Sequence, residues 1–130
     1  DNVFLAPENM TEAIKQYCRD TNQQVPETVG ELATVIYQSL AESYAETVKE
    51  IEAITGVHYP AINIVGGGSN AVYLNQLTAE KTGRTVYAGP GEGTAIGNLM
   101  AQMLKVGEFK DLKEARQCVF DSFGVKTYPA

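Results

Sequence analysis

The sequence predicts one α/β domain over residues 1–130, with two parallel strands, glycine turns after them and four to five helices, one of them long. Three observations carry that reading. Two apolar runs, Ile62-Asn63-Ile64-Val65 and Thr85-Val86-Tyr87-Ala88, each stop at glycines and pass into a helical pattern. Consecutive units of this kind imply parallel strands joined by a crossover helix. Ahead of them, from Thr28 to Thr55, apolar residues keep the period of a long amphipathic helix.

Asp1 to Pro7 reads as a loop or a short extended piece. From Asn9 the apolar positions Met10, Ile14, Tyr17 and Cys18 recur at helical spacing, and this helix ends near Thr21. The polar stretch that follows closes at Pro26, which disfavours helix in the residue before it. Thr28 followed three residues later by Glu31 is a capping box, in which hydroxyl and carboxylate each satisfy a free N–H of the first turn.

Val29, Leu32, Ile36, Leu40, Tyr44, Val48 and Ile51 then make one stripe, with Glu42, Glu46, Lys49, Glu50 and Glu52 toward the other side. Leu32, Ile36, Leu40 and Val48 are therefore expected to be buried, and Glu42 and Glu46 exposed. At about 1.5 Å per residue this helix spans roughly 40 Å before Gly56 stops it. A coiled coil is the alternative, but the stripe drifts at the straight-helix period and includes Ser39, Ala41 and Ala45, which favours packing on a sheet.

The loop 57–61 leads into the first strand and its three glycines. The helix from Asn70 to Thr82 carries Val72, Tyr73, Leu74, Leu77 and Ala79 and closes at Gly83. After the second strand come Gly89-Pro90-Gly91 and a helix from Thr94 to Leu104, with Ile96, Leu99, Met100, Met103 and Leu104. Asp111 caps a last short helix through Val119, and the tail has one extended piece from Val125 to Tyr128. Two parallel strands do not make a stable sheet alone. Either a second copy pairs with the chain as a homodimer, or the remaining strands belong to a missing N-terminal part. The chain opens at Asp1 without methionine, which agrees with the second expectation.

A formal net charge of -6, with ten basic residues scattered from Lys15 to Lys126, leaves no electrostatic footprint for nucleic acid or an anionic membrane. No apolar stretch approaches the roughly 20 residues of a spanning helix, and the N-terminus lacks the pattern of a signal peptide. A cytoplasmic protein is expected. Cys18 and Cys118 lack metal-ligand spacing, so both are read as reduced packing residues, and the single His58 as a loop residue.

Gly66-Gly67-Gly68 serves packing poorly, because each glycine costs backbone entropy and offers no side chain. Two uses fit: backbone that a nucleotide approaches closely at a helix start, or a tight strand-to-helix turn. Gly66-x-Gly68-x-x-Ala71 matches the dinucleotide fingerprint in form, but no acidic residue ends the next strand and a long helical region precedes this one. A Walker A loop fails for want of Lys-Ser or Lys-Thr after the glycines. What remains is a glycine turn with Ser69 and Asn70 as polar donors at the helix start.

Four blocks at fixed distances carry a resemblance. They are Val65-Gly66-Gly67-Gly68-Ser69, Leu74-Asn75-Gln76-Leu77, Gly83-x-x-Val86, and Ala88-Gly89-Pro90-x-Glu92-x-x-x-Ile96-Gly97-Asn98. Upstream, Asn9-Met10, Cys18-Arg19, Val25-Pro26-Glu27, Glu31-Leu32-Ala33 and Ser39-Leu40-Ala41 fall in the same order. Nearly the whole chain thus resembles the C-terminal region of the FGGY family of carbohydrate kinases. The Gly97-Asn98 ending points to one branch, since sister kinases usually have Gly-Ala there.

The resemblance implies an actin-like, ribonuclease-H-like ATPase fold, of which residues 1–130 form the C-terminal part of the second, nucleotide-side domain. It implies ATP with Mg²⁺ as phosphoryl donor and a ketose as acceptor in the intact enzyme. The site residues it implies are Gly66, Gly67, Gly68, Ser69 and Asn70, with Gly67 lying against the adenosine and α-phosphate part of the nucleotide. Relatives usually carry asparagine five residues after the first glycine, where this chain has Ala71; Asn70 stands one position earlier, a rotation of about 100° on a helix. The family's catalytic aspartate and phosphate loop lie in other parts of the enzyme, so no catalytic residue and no metal ligand is expected here. Glu92 is read as a carboxylate favourable at the start of the following helix and not as a base. The competing reading is a self-contained binding or dimerisation module that uses the glycines as turns and the long helix as an interface. An open sheet edge favours the kinase fragment, and a five-stranded sheet completed within the chain favours the module.

Overall fold

Side chains cap several helix starts, among them Asp111 as expected, whose carboxylate accepts from the N–H of Glu114 at 2.9 Å. In the computed structural model, which describes residues 2–130, the Asn9 side chain accepts from the N–H of Glu12 at 3.2 Å and opens α1 (Met10–Asp20). The Glu31 N–H donates to Thr28 Oγ1 at 3.2 Å, and Glu31 Oε2 accepts from the N–H groups of Thr28 and Glu27 at 3.0 and 2.8 Å, opening α2 (Val29–Thr55). Those two backbone bonds hold the Glu31 carboxyl below its ordinary pKa, Thr28 contributing most. Of the segment expected as loop, Asn2–Phe4 is a short 3-10 turn, and Asp1 lies outside the described residues.

The chain forms two compact units, up to Ser39 and from Leu40 onward, with the boundary inside α2. In the first, Ile14, Cys18 and Pro26 are buried, and the Phe4 and Tyr17 rings meet at 5.2 Å. Both cysteines are free.

The second unit holds the sheet. β1 (Ala61–Ile64) and β2 (Thr85–Ala88) are parallel, Ala61 opposite Thr85 and Ile64 opposite Ala88, with α3 (Val72–Thr82) as the crossover. α4 (Gly93–Val106) and α5 (Leu112–Ser122) follow and pack together. β3 (Lys126–Tyr128) adds to the other side of β2, antiparallel, with Val86 opposite Tyr128. The order is β1-β2-β3 among the described residues, so the outer edge of β1 stays unpaired. The third strand was legible only as an extended piece, and its pairing brings the sheet from the two expected strands to three. The core gathers where α3 covers Val86 and Ala88: Leu77, Thr78 and Ala79 are buried with them. Thr78 and Thr82 satisfy their hydroxyls on the carbonyls of Leu74 and Thr78, four residues back.

The long helix corrects one expectation. Leu32 and Val48 are half-buried, while Ile36 and Leu40 are each 37% exposed; Ala41 at 0% and Ala45 at 7% are the buried positions. Glu42 and Glu46 are exposed as expected. Reading the stripe by side-chain bulk misplaced the inner face by one position: the buried positions of α2 are the alanines, and the bulkier Leu40, Tyr44 and Ile51 are partly uncovered.

Polar contacts fix the same helix. Lys81 Nζ donates to Glu42 at 2.9 Å, which raises the lysine pKa. Glu52 accepts from the Tyr59 N–H at 2.8 Å and from Arg84 Nη2 at 2.7 Å, while Arg84 Nε donates to Tyr59 O at 2.8 Å. The Tyr59 amide first, and Arg84 after it, hold the Glu52 carboxyl below its ordinary range. His58 sits in this loop with Nδ1 at 3.0 Å from Glu52. The end of α2, the approach to β1 and the turn before β2 are thereby tied together.

Candidate functional site

The two glycine turns lie side by side at the carboxyl ends of the parallel strands, where ligands of open α/β sheets bind. The ladder continues past the strands into the turns: the Gly89 N–H donates to Ile64 O at 2.8 Å, and the Gly66 N–H donates to Pro90 O at 2.9 Å. Gly66 has φ +80°, a conformation that favours glycine. Gly93 is glycine for packing, since a Cβ there would come 3.3 Å from Val65 Cβ.

After Gly66 the chain makes a 3-10 turn, Gly67–Asn70, before α3 begins. Asn70 is thus the last residue of this turn and not the first of the helix, as the sequence pattern had it. Ser69 is 6% exposed and spends both its donors inside the loop, N–H to Gly66 O at 3.0 Å and hydroxyl to the same oxygen at 2.7 Å. Its visible work is to hold the turn. Asn70 is exposed, with its amide nitrogen 3.7 Å from where a Cβ on Gly91 would stand, so it lies beside the second turn.

Gly67 and Gly68 differ from their neighbours. A Cβ at either meets nothing within 4 Å, neither has a positive φ, and among the described residues neither N–H has an acceptor. The turn itself therefore does not require glycine at these two places. Side-chain-free backbone, two unpaired donors and the start of α3 together make a surface that can accept oxygen or nitrogen acceptors of a ligand at close range.

Asn75, on the first turn of α3, is the part of the site that motif reading did not resolve. It is fully buried, and its Nδ2 donates to Ser69 O at 2.9 Å. Only its place in the Leu74-Asn75-Gln76-Leu77 block marked it, and nothing in the spacing tells that its side chain turns back to the glycine loop. Glu92 is the N-cap of α4, but its carboxylate makes no capping hydrogen bond, so any contribution there is through the helix dipole.

On the sheet face opposite α3, an open groove of ≈ 1250 Å³ runs between Asn63 and Tyr87 of the strands, Met100 and Leu104 of α4, and Arg116 and Phe120 of α5. No carboxylate is among its lining residues. Among the described residues no group of three or more His, Cys, Asp or Glu could hold a metal ion, and no helix is long and apolar enough to cross a membrane.

Comparison with known proteins places this geometry in context. Residues 1–106 match the model of the FGGY family of carbohydrate kinases, C-terminal domain. The chain is 52% identical to the rhamnulokinase of Bacillus subtilis (strain 168), over 98% of this chain and 26% of that protein. Identity is 48% to the rhamnulokinase of Halalkalibacterium halodurans, over 98% of this chain and 27% of the relative. For the rhamnulokinase of Enterococcus faecalis it is 46%, over 100% and 27%. The chain spans about a quarter of the length of the curated relatives it matches.

Proposed function

The chain belongs to the FGGY family of carbohydrate kinases, and from that we propose that it is the C-terminal part of the nucleotide-side domain of a cytoplasmic kinase. The whole protein would transfer the γ-phosphoryl of MgATP to L-rhamnulose, giving L-rhamnulose 1-phosphate; the sugar follows from the name its relatives carry. Gly66, Gly67, Gly68, Ser69 and Asn70 would form part of the adenosine-binding wall. The observation that supports this is the bare Gly67–Gly68 backbone, with both N–H groups free, held beside a second glycine turn at the ends of parallel strands.

The division of labour follows from the residues present. Gly67 and Gly68 offer N–H donors to acceptor atoms of the adenosine and α-phosphate region, at a distance any side chain would prevent. Ser69 holds the turn through Gly66 O, and Asn70 lies beside Gly91 of the second turn. Bound MgATP supplies the phosphoryl group. Phosphoryl transfer further needs a group that positions the attacking hydroxyl, and metal ligands. We assign both roles to the rest of the enzyme, because the chain spans only about a quarter of the length of its relatives. The unpaired outer edge of β1 supports the fragment over a self-contained module, since among the described residues the sheet stops at three short strands and is not completed to five. We assign that edge to the preceding part of the same polypeptide and not to a second copy.

A coupled ADP-release assay tests the reading. The full-length protein should turn over ATP in the presence of L-rhamnulose, and the isolated 130 residues should show no sugar-dependent turnover. Sugar-dependent turnover by the isolated chain would overturn it.

A further inference from the structure

We propose that Asn75 is a positioning residue for nucleotide binding, acting through its amide bond to the Ser69 carbonyl; this rests on the glycine loop being the nucleotide contact. Asn75 is fully buried on α3, and its side chain reaches back six residues to the loop, where Nδ2 stands 2.9 Å from Ser69 O. The group it meets is a carbonyl, which only accepts, so the nitrogen and not the oxygen must face it. Its Oδ1 is buried with no partner among the described residues.

That orphaned oxygen carries weight. A buried acceptor without a partner is costly, and an apolar side chain of similar volume would fill the same space without that cost. What the amide adds is the bond to Ser69. Ser69 in turn gives both its donors to Gly66 O. The chain Asn75 to Ser69 to Gly66 brackets Gly67 and Gly68, the two residues whose N–H groups are unpaired, and sets the direction in which those donors point. The bond joins the packed helix to the open turn, so loosening it lets the donors wander while the core beneath stays as it is.

The test is steady-state kinetics on the full-length enzyme, Asn75→Leu against wild type, well below the melting temperature. The expected result is a KM for ATP raised about tenfold, the scale of one well-placed hydrogen bond, with KM for the sugar unchanged. Asn75→Gln keeps the amide but displaces it by a methylene, and should also raise KM for ATP, by less. A folded Asn75→Leu enzyme with a lowered melting temperature and unchanged KM for ATP would overturn the inference, as would failure of both variants to fold, because the residue would then serve the core alone. Gly67→Val, run in parallel, separates the two levels. If it weakens ATP binding and Asn75→Leu does not, the positioning role falls and the nucleotide site stands; if neither does, the nucleotide site itself falls.

Discussion

Gly67→Val in the full-length kinase is expected to weaken ATP binding by about tenfold or more, at least ~1.4 kcal/mol, with little change in stability. A turn that needed glycine at this position would give the reverse order of effects. At Gly67 a Cβ meets nothing within 4 Å and φ is not positive, so valine enters open space without backbone strain. That same open space is where the nucleotide would lie against backbone, and two added methyl groups hold the ligand away from the N–H donors. The melting temperature should stay within about 2 °C, as for an exposed substitution away from the core. Isothermal titration with ATP and a thermal melt on the same preparations give both numbers. A lowered melting temperature with unchanged affinity would remove the nucleotide assignment.

Gly89→Ala should do the opposite. Gly89 has φ +127°, which side chains rarely adopt, and a Cβ there would stand 3.3 Å from Val125 Cα and 3.6 Å from its Cγ2. The nearest atom is backbone and cannot swing aside as a flexible side chain would. Strain of this kind costs about 1–3 kcal/mol, and the simplest relief is withdrawal of β3 from β2. The variant should melt several degrees lower and be cleaved by protease near residues 124–130 faster than wild type. An unchanged melt and unchanged cleavage would show that the turn can relax, and that β3 is not held by the fit at Gly89.

The contrast between these two glycines marks where the sequence was legible. Local features could be read directly: the Thr28 and Glu31 box forms as spaced, β2 occupies Thr85–Ala88 as expected, and Gly83 closes its helix in the left-handed conformation. Each depends on residues within one turn or one strand. The Gly66 to Asn70 cluster was legible as a special turn, but not which glycine serves the bend and which stays bare. Gly66 carries the positive φ and Gly67 does not, a difference that arises only when the turn docks against Pro90.

Long-range pairings were not legible for the same reason. The antiparallel seat of β3, the Arg84 to Glu52 ion pair across 32 residues, and the burial of α2 at Ala41 and Ala45 are all set by tertiary fit. A periodicity weighted by side-chain bulk points toward Leu40 and Ile36, because it carries no information on which face the rest of the chain covers. Those two side chains, with Tyr44 and Ile51, remain partly exposed, and about three quarters of the length of the relatives lies outside this chain.

Site-resolved hydrogen exchange at the Gly67 and Gly68 amides of the full-length enzyme, with and without saturating ATP, tests the central claim most directly. Without nucleotide both N–H groups lack an acceptor and should exchange at close to the unprotected rate. With ATP bound, exchange at these two amides should slow by about tenfold or more as they become hydrogen-bonded. Equal rates with and without bound ATP would contradict the account.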